Sequence, residues 1–197
     1  ARGGVGGRLF TSIAAMGPAD EDPEETGCKF VVLDRVNALG GLKVGGPLLV
    51  GKGTFVAFHE SPVQHGMTIG EIAKLYQSER YPNLDLTVVP LRNWKRSLRF
   101  DQTGLRWVKP SPNMPNLTAA TLYPGLGLLE FTNLSVGRGT KLAFELVGAP
   151  YIDPDQLAQR LTAAKLPGLQ FIPVRFTPEA STDRKSTRLN SSHVVTS

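Results

Sequence analysis

A carboxylate, an amide, a hydroxyl and a guanidinium fall close together in this chain: Glu130, Asn133, Ser135 and Arg138. They lie in LLEFTNLSVGRGTKLAFELVGAP, residues 128–150, where an apolar run reads as a strand leading into a glycine-punctuated loop. Gly137 and Gly139 flank Arg138, so the backbone there can bend sharply and let a ligand approach. Such a polar cluster suits a sugar or an anion. An ordinary Asn/Gly turn with a solvated arginine is the plainer reading of the same residues.

Two further sets carry chemistry. Asp34, Arg35 and Asn37 follow an apolar run, and ligands of open α/β sheets bind outside the carboxyl ends of strands. A salt-bridged loop is the competing reading. His65, in PVQHGMT, stands just before a helix start, where it can donate to a hydroxyl or titrate near neutral pH, although a lone histidine is more often structural. His59 matches no motif. Tyr123 and Trp94 offer faces for sugar stacking, against the commoner fate of a packed aromatic.

The elements that must position these residues read as alternating helix and strand. Residues 30–33, FVVL, form a continuous apolar run that ends at Asp34, as in a buried parallel strand. Thr68 and Glu71 make a capping box for a helix over residues 68–76, with Ile69, Ile72, Ala73 and Tyr76 on one face. Residues 86–90 give a second buried strand. Asp153-Pro154 opens a helix through residue 161, and residues 169–176 return as a strand. The prolines of KPSPNMPN, residues 109–116, keep that stretch extended and exclude a helix. The fold expected is α/β, a Rossmann-like layered sheet with flanking helices plus a second, smaller α/β lobe. The lobes are placed at 1–108 and 109–182.

At 197 residues with 41% hydrophobic content, the chain is long enough to bury a full core. It contains no apolar run long enough to span a membrane. One cysteine, Cys28, excludes an intramolecular disulfide and reads as a small buried hydrophobe. The three histidines and that cysteine show no metal-ligand spacing, so no metal is expected. GGVGG near the start follows no strand and lacks the GxGxxG spacing, so no dinucleotide cofactor is expected either. The formal charge is +5, of which Arg184, Lys185 and Arg188 lie in the last stretch. The remaining excess is mild, and nucleic acid is not an expected partner.

Several long motifs, in order, resemble one family. LLEFTNLSVGRGT followed by FELVGAP is similar to the signature of the NamZ-type exo-β-N-acetylmuramidases, bacterial peptidoglycan glycosidases. FVVLDRVNALGG, PVQHGMTIGEIAKLY, LTVVPLRNWKR, FDQTGLRWVKPSPNMPNL and TLYPGLGLLE resemble the family as well, so the likeness covers residues 5–177. Val36 and Ala38 depart from it where prolines are usual, as does Phe131 where a small residue is preferred. The resemblance implies a glycosidase that removes N-acetylmuramic acid from the non-reducing ends of peptidoglycan fragments, in the periplasm or secreted, without a cofactor. Glycosidases work with two carboxyl groups, one of which protonates the leaving oxygen. Glu130 is the candidate acid within this sequence, since partial burial at a strand end would raise its pKa. Its competing role is to pin the 133–138 loop. His65 joins it as a catalytic candidate. Asp34, Arg35, Asn37, Tyr123, Asn133, Ser135 and Arg138 are the substrate-binding candidates. Arg138 would hold the lactyl carboxylate.

The resemblance also implies an N-terminally incomplete chain, with GGRLFTSIAAMG inside a family helix and the main acid, in a Glu-His-Gly-type loop, upstream. Residues 183–197 resemble a translated sequencing-adapter tail and are expected to be non-native and disordered. The alternative to the enzyme is a non-catalytic sugar- or nucleotide-binding α/β module, and a family member inert as this polypeptide is a third reading.

Overall fold

The structure, a computed structural model, describes residues 29–51, 59–130, 132–176 and the backbone of 189–196. The expected N-terminal helix, Cys28 and Phe131 lie outside the described residues. The chain divides into two compact units, Ala1–Pro110 and Ser111–Ser197. The division falls inside the proline-rich stretch KPSPNMPN.

In the first unit, β1 (Phe30–Leu33) and β2 (Leu86–Val89) pair in parallel, with Phe30 opposite Leu86 and Leu33 opposite Val89. The helix between them, α1 (Ile69–Arg80), supplies the crossover that parallel strands require. Its start is the one read from sequence. The Thr68 hydroxyl oxygen accepts from the Glu71 amide, and the Glu71 carboxylate accepts from the Thr68 amide. Gly70, Ile72, Ala73 and Tyr76 are the buried residues of the helix, with Met67 packed against Ile72 and Tyr76. Val32 is buried on one side of β1, whereas its neighbours Val31 and Leu33 are exposed, as is Val89 on β2. The apolar run is therefore covered on one face only, not on both as its composition predicts.

The second unit holds the largest departure from the sequence reading. Residues 128–130, expected to end a strand, belong to helical turns. Leu117–Leu126 is a helix, α2, capped by the Asn116 side chain on the Ala119 amide, and it runs into a 3-10 turn at Gly127–Leu129. Glu130 closes that turn, its amide donating to the Gly127 carbonyl. A short apolar run between glycines carries no periodicity to separate the two states, and Pro124, inside α2, argues against a helix by itself.

The strand of this region comes after the polar loop: β3 (Leu146–Ala149) is buried throughout. The helix α3 (Pro154–Ala163) opens as expected, with Asp153 capping and proline in its first turn. It leads to β4 (Leu169–Phe176). Leu122 and Val147 form a core with Leu126, Leu129, Leu134, Leu169 and Phe171.

Within the stretch read as a tail, residues 189–196 form a strand, β5 (Leu189–Thr196), antiparallel to both β3 and β4 in the order β3-β5-β4. Ladder bonds are made by backbone groups, so a segment with little apolar pattern can still fill a strand position between two partners.

Candidate functional site

Two groups of polar side chains take shape, one in each unit. In the first, Asp34 emerges at the end of β1, and the N-terminus of α1 lies against it. One carboxylate oxygen accepts from the Gly70 amide at 2.8 Å and the Arg35 amide at 2.9 Å. The other accepts from the Thr68 hydroxyl at 3.1 Å. A carboxylate on the free amides of a helix start is stabilised by hydrogen bonds and helix dipole together. Gly70 is required there, because a Cβ would stand 2.8 Å from the Asp34 carboxyl carbon and 2.7 Å from Val88.

Asn37 is buried and satisfied at both ends. Its amide donates to the Met67 carbonyl, and its oxygen accepts from the Leu39 amide, each at 3.0 Å. His65 is buried and its Nδ1 accepts from the Met67 amide at 3.1 Å, so the neutral ring carries its proton on Nε2. Arg35 folds back onto the Asp34 carbonyl at 2.9 Å. Asp34, Asn37 and His65 are thus brought together around the start of α1, largely through bonds to backbone. His59, unassigned in the sequence, pairs with Glu79 at 2.7 Å and packs on the Tyr76 ring.

The second group surrounds the loop of residues 130–148. Glu130 and Arg138 form an ion pair through the arginine Nε. The Arg138 guanidinium also lies 5.1 Å from the centre of the Phe144 ring, a cation–π distance. Tyr123 meets the same ring edge-on at 4.8 Å. Burial pushes the Tyr123 phenol up from its ordinary pKa of 10.0, the Glu130 carboxylate adds to the rise, and Arg138 opposes it. Among the sequence candidates, Glu130, Arg138 and Tyr123 therefore come together. Ser135 is buried behind them, its backbone bridging Gly148 and its hydroxyl accepting from the Gly137 amide at 3.2 Å. Asn133 is exposed on the outer turn. Trp94 belongs to the first unit, with its indole N–H buried and without a partner among the described residues.

Sequence reasoning missed the residue at the centre of this group. Phe144 is 1% exposed and has φ +62°, a left-handed conformation that a bulky side chain adopts only when its surroundings enforce it. Its amide donates to the Val136 carbonyl at 2.7 Å, which closes the loop. Nothing in the letters AFEL announces that conformation. Asn116 was missed as well: it caps α2 and donates from its amide to the buried Glu145 carboxylate at 2.8 Å. Among the described residues, no three His, Cys, Asp or Glu side chains gather to hold a metal.

A parallel β–α–β layer in the first unit, and a second unit that carries an arginine–carboxylate loop, define an α/β protein. Residues 3–118 match the family described as Exo-beta-N-acetylmuramidase NamZ, N-terminal, and residues 121–193 match its C-terminal counterpart. The chain belongs to the NamZ family. The second match extends into the stretch that the sequence set apart as a tail.

The chain is 46% identical over 178 residues to the peptidoglycan beta-N-acetylmuramidase NamZ of Bacillus subtilis (strain 168), covering 90% of this chain and 43% of that protein. Two crystal structures of DUF1343 family proteins from Bacteroides fragilis are similar to it in fold. One has a TM-score of 0.85 and 35% identity over 97% of this chain, the other 0.73 and 32% over 98%, each across 50% of the other protein. The chain spans half or less of these relatives.

Proposed function

We propose that this chain forms part of the saccharide-binding surface of a glycoside hydrolase that removes N-acetylmuramic acid from the non-reducing ends of peptidoglycan fragments. The supporting observation is the Arg138 constellation. A guanidinium fixed by Glu130 at Nε and by the Phe144 ring beneath it keeps its terminal nitrogens for a second carboxylate. N-acetylmuramic acid differs from N-acetylglucosamine by a lactyl ether that carries such a group. The family name agrees, and the Bacillus relative is named for this linkage.

Within this reading, Glu130 serves as the brace of Arg138 instead of the proton donor, because its carboxylate is engaged by the guanidinium. His65 stands with Asp34 and Asn37 around the start of α1 and borders the saccharide there. Tyr123 supports the Arg138–Phe144 stack. The substrate places the protein at the cell envelope, periplasmic or secreted, with muramic-acid saccharides and not nucleic acid as its partner.

The test is equilibrium binding of N-acetylmuramic acid and N-acetylglucosamine to the wild-type chain and to Arg138→Ala, followed by calorimetry. The wild type should prefer the lactyl sugar. Arg138→Ala should lose that preference, by about tenfold to a hundredfold for one charge-assisted pair, with little change for N-acetylglucosamine. Equal losses for both sugars, or no preference in the wild type, would overturn the reading. A non-catalytic sugar-binding module passes this test as well. Release of N-acetylmuramic acid from a muramic-acid disaccharide separates the enzyme from it.

A further inference from the structure

Apart from the last stretch, one segment of this chain carries a dense run of positive charge. Arg92, Lys95, Arg96, Arg99, Arg106 and Lys109 fall within 18 residues that contain a single acid, Asp101. The whole chain has 22 basic and 17 acidic residues, which leaves 16 of each for the other 179. All six basic residues are exposed. Arg96 pairs with Glu71, and Arg99 lies 3.8 Å from Asp101. Arg92, Lys95, Arg106 and Lys109 have no ion-pair partner among the described residues.

The segment is folded, not a loose tail. A turn closes from the Leu98 amide to the Lys95 carbonyl at 2.9 Å, and a 3-10 turn follows at Phe100–Thr103. Trp107 then packs edge-on against Phe100 at 5.0 Å, which returns the chain at Arg106 to the neighbourhood of Arg99. Arg99 and Arg106, from the two arms of the segment, are therefore brought near each other. The segment is also tied to the loops around the strand-end group. The Gly41 amide donates to the Arg96 carbonyl at 2.7 Å, the Phe100 amide to the Ala38 carbonyl at 3.2 Å, and the Arg96 guanidinium to the Gly66 carbonyl at 3.1 Å. Asn37 and His65 sit on those same two loops. The segment that carries the cations is thus anchored, through Arg96 and Phe100, to the loops that hold the polar group at the end of β1.

We propose that residues 92–109 form a docking surface for the polymeric cell wall, in which Arg92, Lys95, Arg106 and Lys109 engage carboxylates of peptide-bearing peptidoglycan strands beyond the terminal sugar. The choice of this polyanion rests on the function proposed above, and the charge and geometry stand without it. Exposed cations without an ion-pair partner among the described residues favour a flexible polymer with spaced carboxylates, since long-range attraction gathers it without demanding one geometry. The surface raises the local concentration of chain ends and leaves recognition of the sugar to other residues.

The experiment is co-sedimentation of the full 197-residue chain with insoluble peptidoglycan sacculi. It compares the wild type with the quadruple variant R92A/K95A/R106A/K109A, whose fold is checked by circular dichroism and melting. The wild type should sediment, and its bound fraction should fall at least about fivefold between roughly 50 and 500 mM salt, as charges are screened. The variant should bind at least about tenfold less, while its affinity for free N-acetylmuramic acid stays at the wild-type value. Sacculi whose carboxylates have been amidated should lose the wild-type protein. Equal sedimentation of variant and wild type would overturn the proposal, and so would salt-insensitive binding. Binding to duplex DNA as strong as to sacculi at equal charge would also overturn it, by showing an unselective basic surface. Hydrolysis is not read in this experiment. Salt-sensitive binding that the variant loses supports the surface even where no sugar is released, and loss of sugar preference with intact sedimentation sinks only the proposed function.

Discussion

At the scale of single residues, the second-unit group shows how much depends on a conformation that letters do not encode. Arg138 and Glu130 were legible because a guanidinium and a carboxylate on one glycine-rich loop are conspicuous. Their mutual pairing was not, because spacing alone cannot tell a ligand-facing carboxylate from one that braces a neighbour. Phe144 was invisible. Its left-handed backbone is the consequence of a tertiary closure onto Val136, and its ring then carries both Arg138 and Tyr123. Phe144→Leu should accordingly destabilise the chain by roughly 1–3 kcal/mol, since a buried ring contact is lost and the aliphatic replacement leaves part of its volume empty. The urea midpoint checks this, and an unchanged midpoint would mean that the ring is not packed as described.

Tyr76 gives a second residue-scale expectation. Desolvation against the sheet pushes its phenol up to about 12, with Arg80 opposing and Glu79 adding to the rise. A phenol whose pKa is higher folded than unfolded contributes stability that is complete below pH 10 and lost as pH rises through 12. Melting temperature should therefore fall more steeply for the wild type than for Tyr76→Phe across that window. Parallel curves would show that the phenol is not held in this way.

At the scale of elements, sequence was most reliable where an end signal and an apolar face coincide. The helix α1 has a capping box and a buried Ile72–Ala73–Tyr76 face, and α3 has Asp153 before its proline. Both were readable for those reasons. The helix α2 was not, because Pro124, Gly125 and Gly127 are breakers, and only tertiary packing of Leu122 and Leu126 overrides them. The junction of β1 with α1 yields the sharpest expectation. A glycine in a helix usually gains about 1 kcal/mol on replacement by alanine. At Gly70 the sign should reverse, because the new Cβ meets Val88 at 2.7 Å and the Asp34 carboxyl carbon at 2.8 Å. Gly70→Ala should cost about 1–3 kcal/mol in urea unfolding. It should also disturb His65 and Asn37, which depend on the same helix start. A neutral or stabilising effect would show that Asp34 is free to move away and does not hold the loop.

At the scale of the whole molecule, the parallel sheet of the first unit is unusual in what it leaves open. Strand composition led to the expectation of burial on both faces, and only the face under α1 meets it. Val31, Leu33 and Val89 remain 54%, 47% and 46% exposed, and the register puts Leu33 beside Val89 on one side of the sheet. Composition alone could not show this, because a continuous apolar run states what a strand tolerates and not what covers it. An apolar face of adjoining strands in water attracts hydrophobic probes and neighbouring chains. The 197-residue chain should therefore enhance the fluorescence of an anilinonaphthalene dye at pH 7. Val31→Thr with Leu33→Thr should remove about half or more of that signal while leaving the unfolding free energy in urea within about 1 kcal/mol, since neither side chain is deeply packed. A dye-silent wild type that melts sharply as a soluble monomer would show that this face is covered in solution. Equal dye binding by the double variant would place the apolar surface elsewhere.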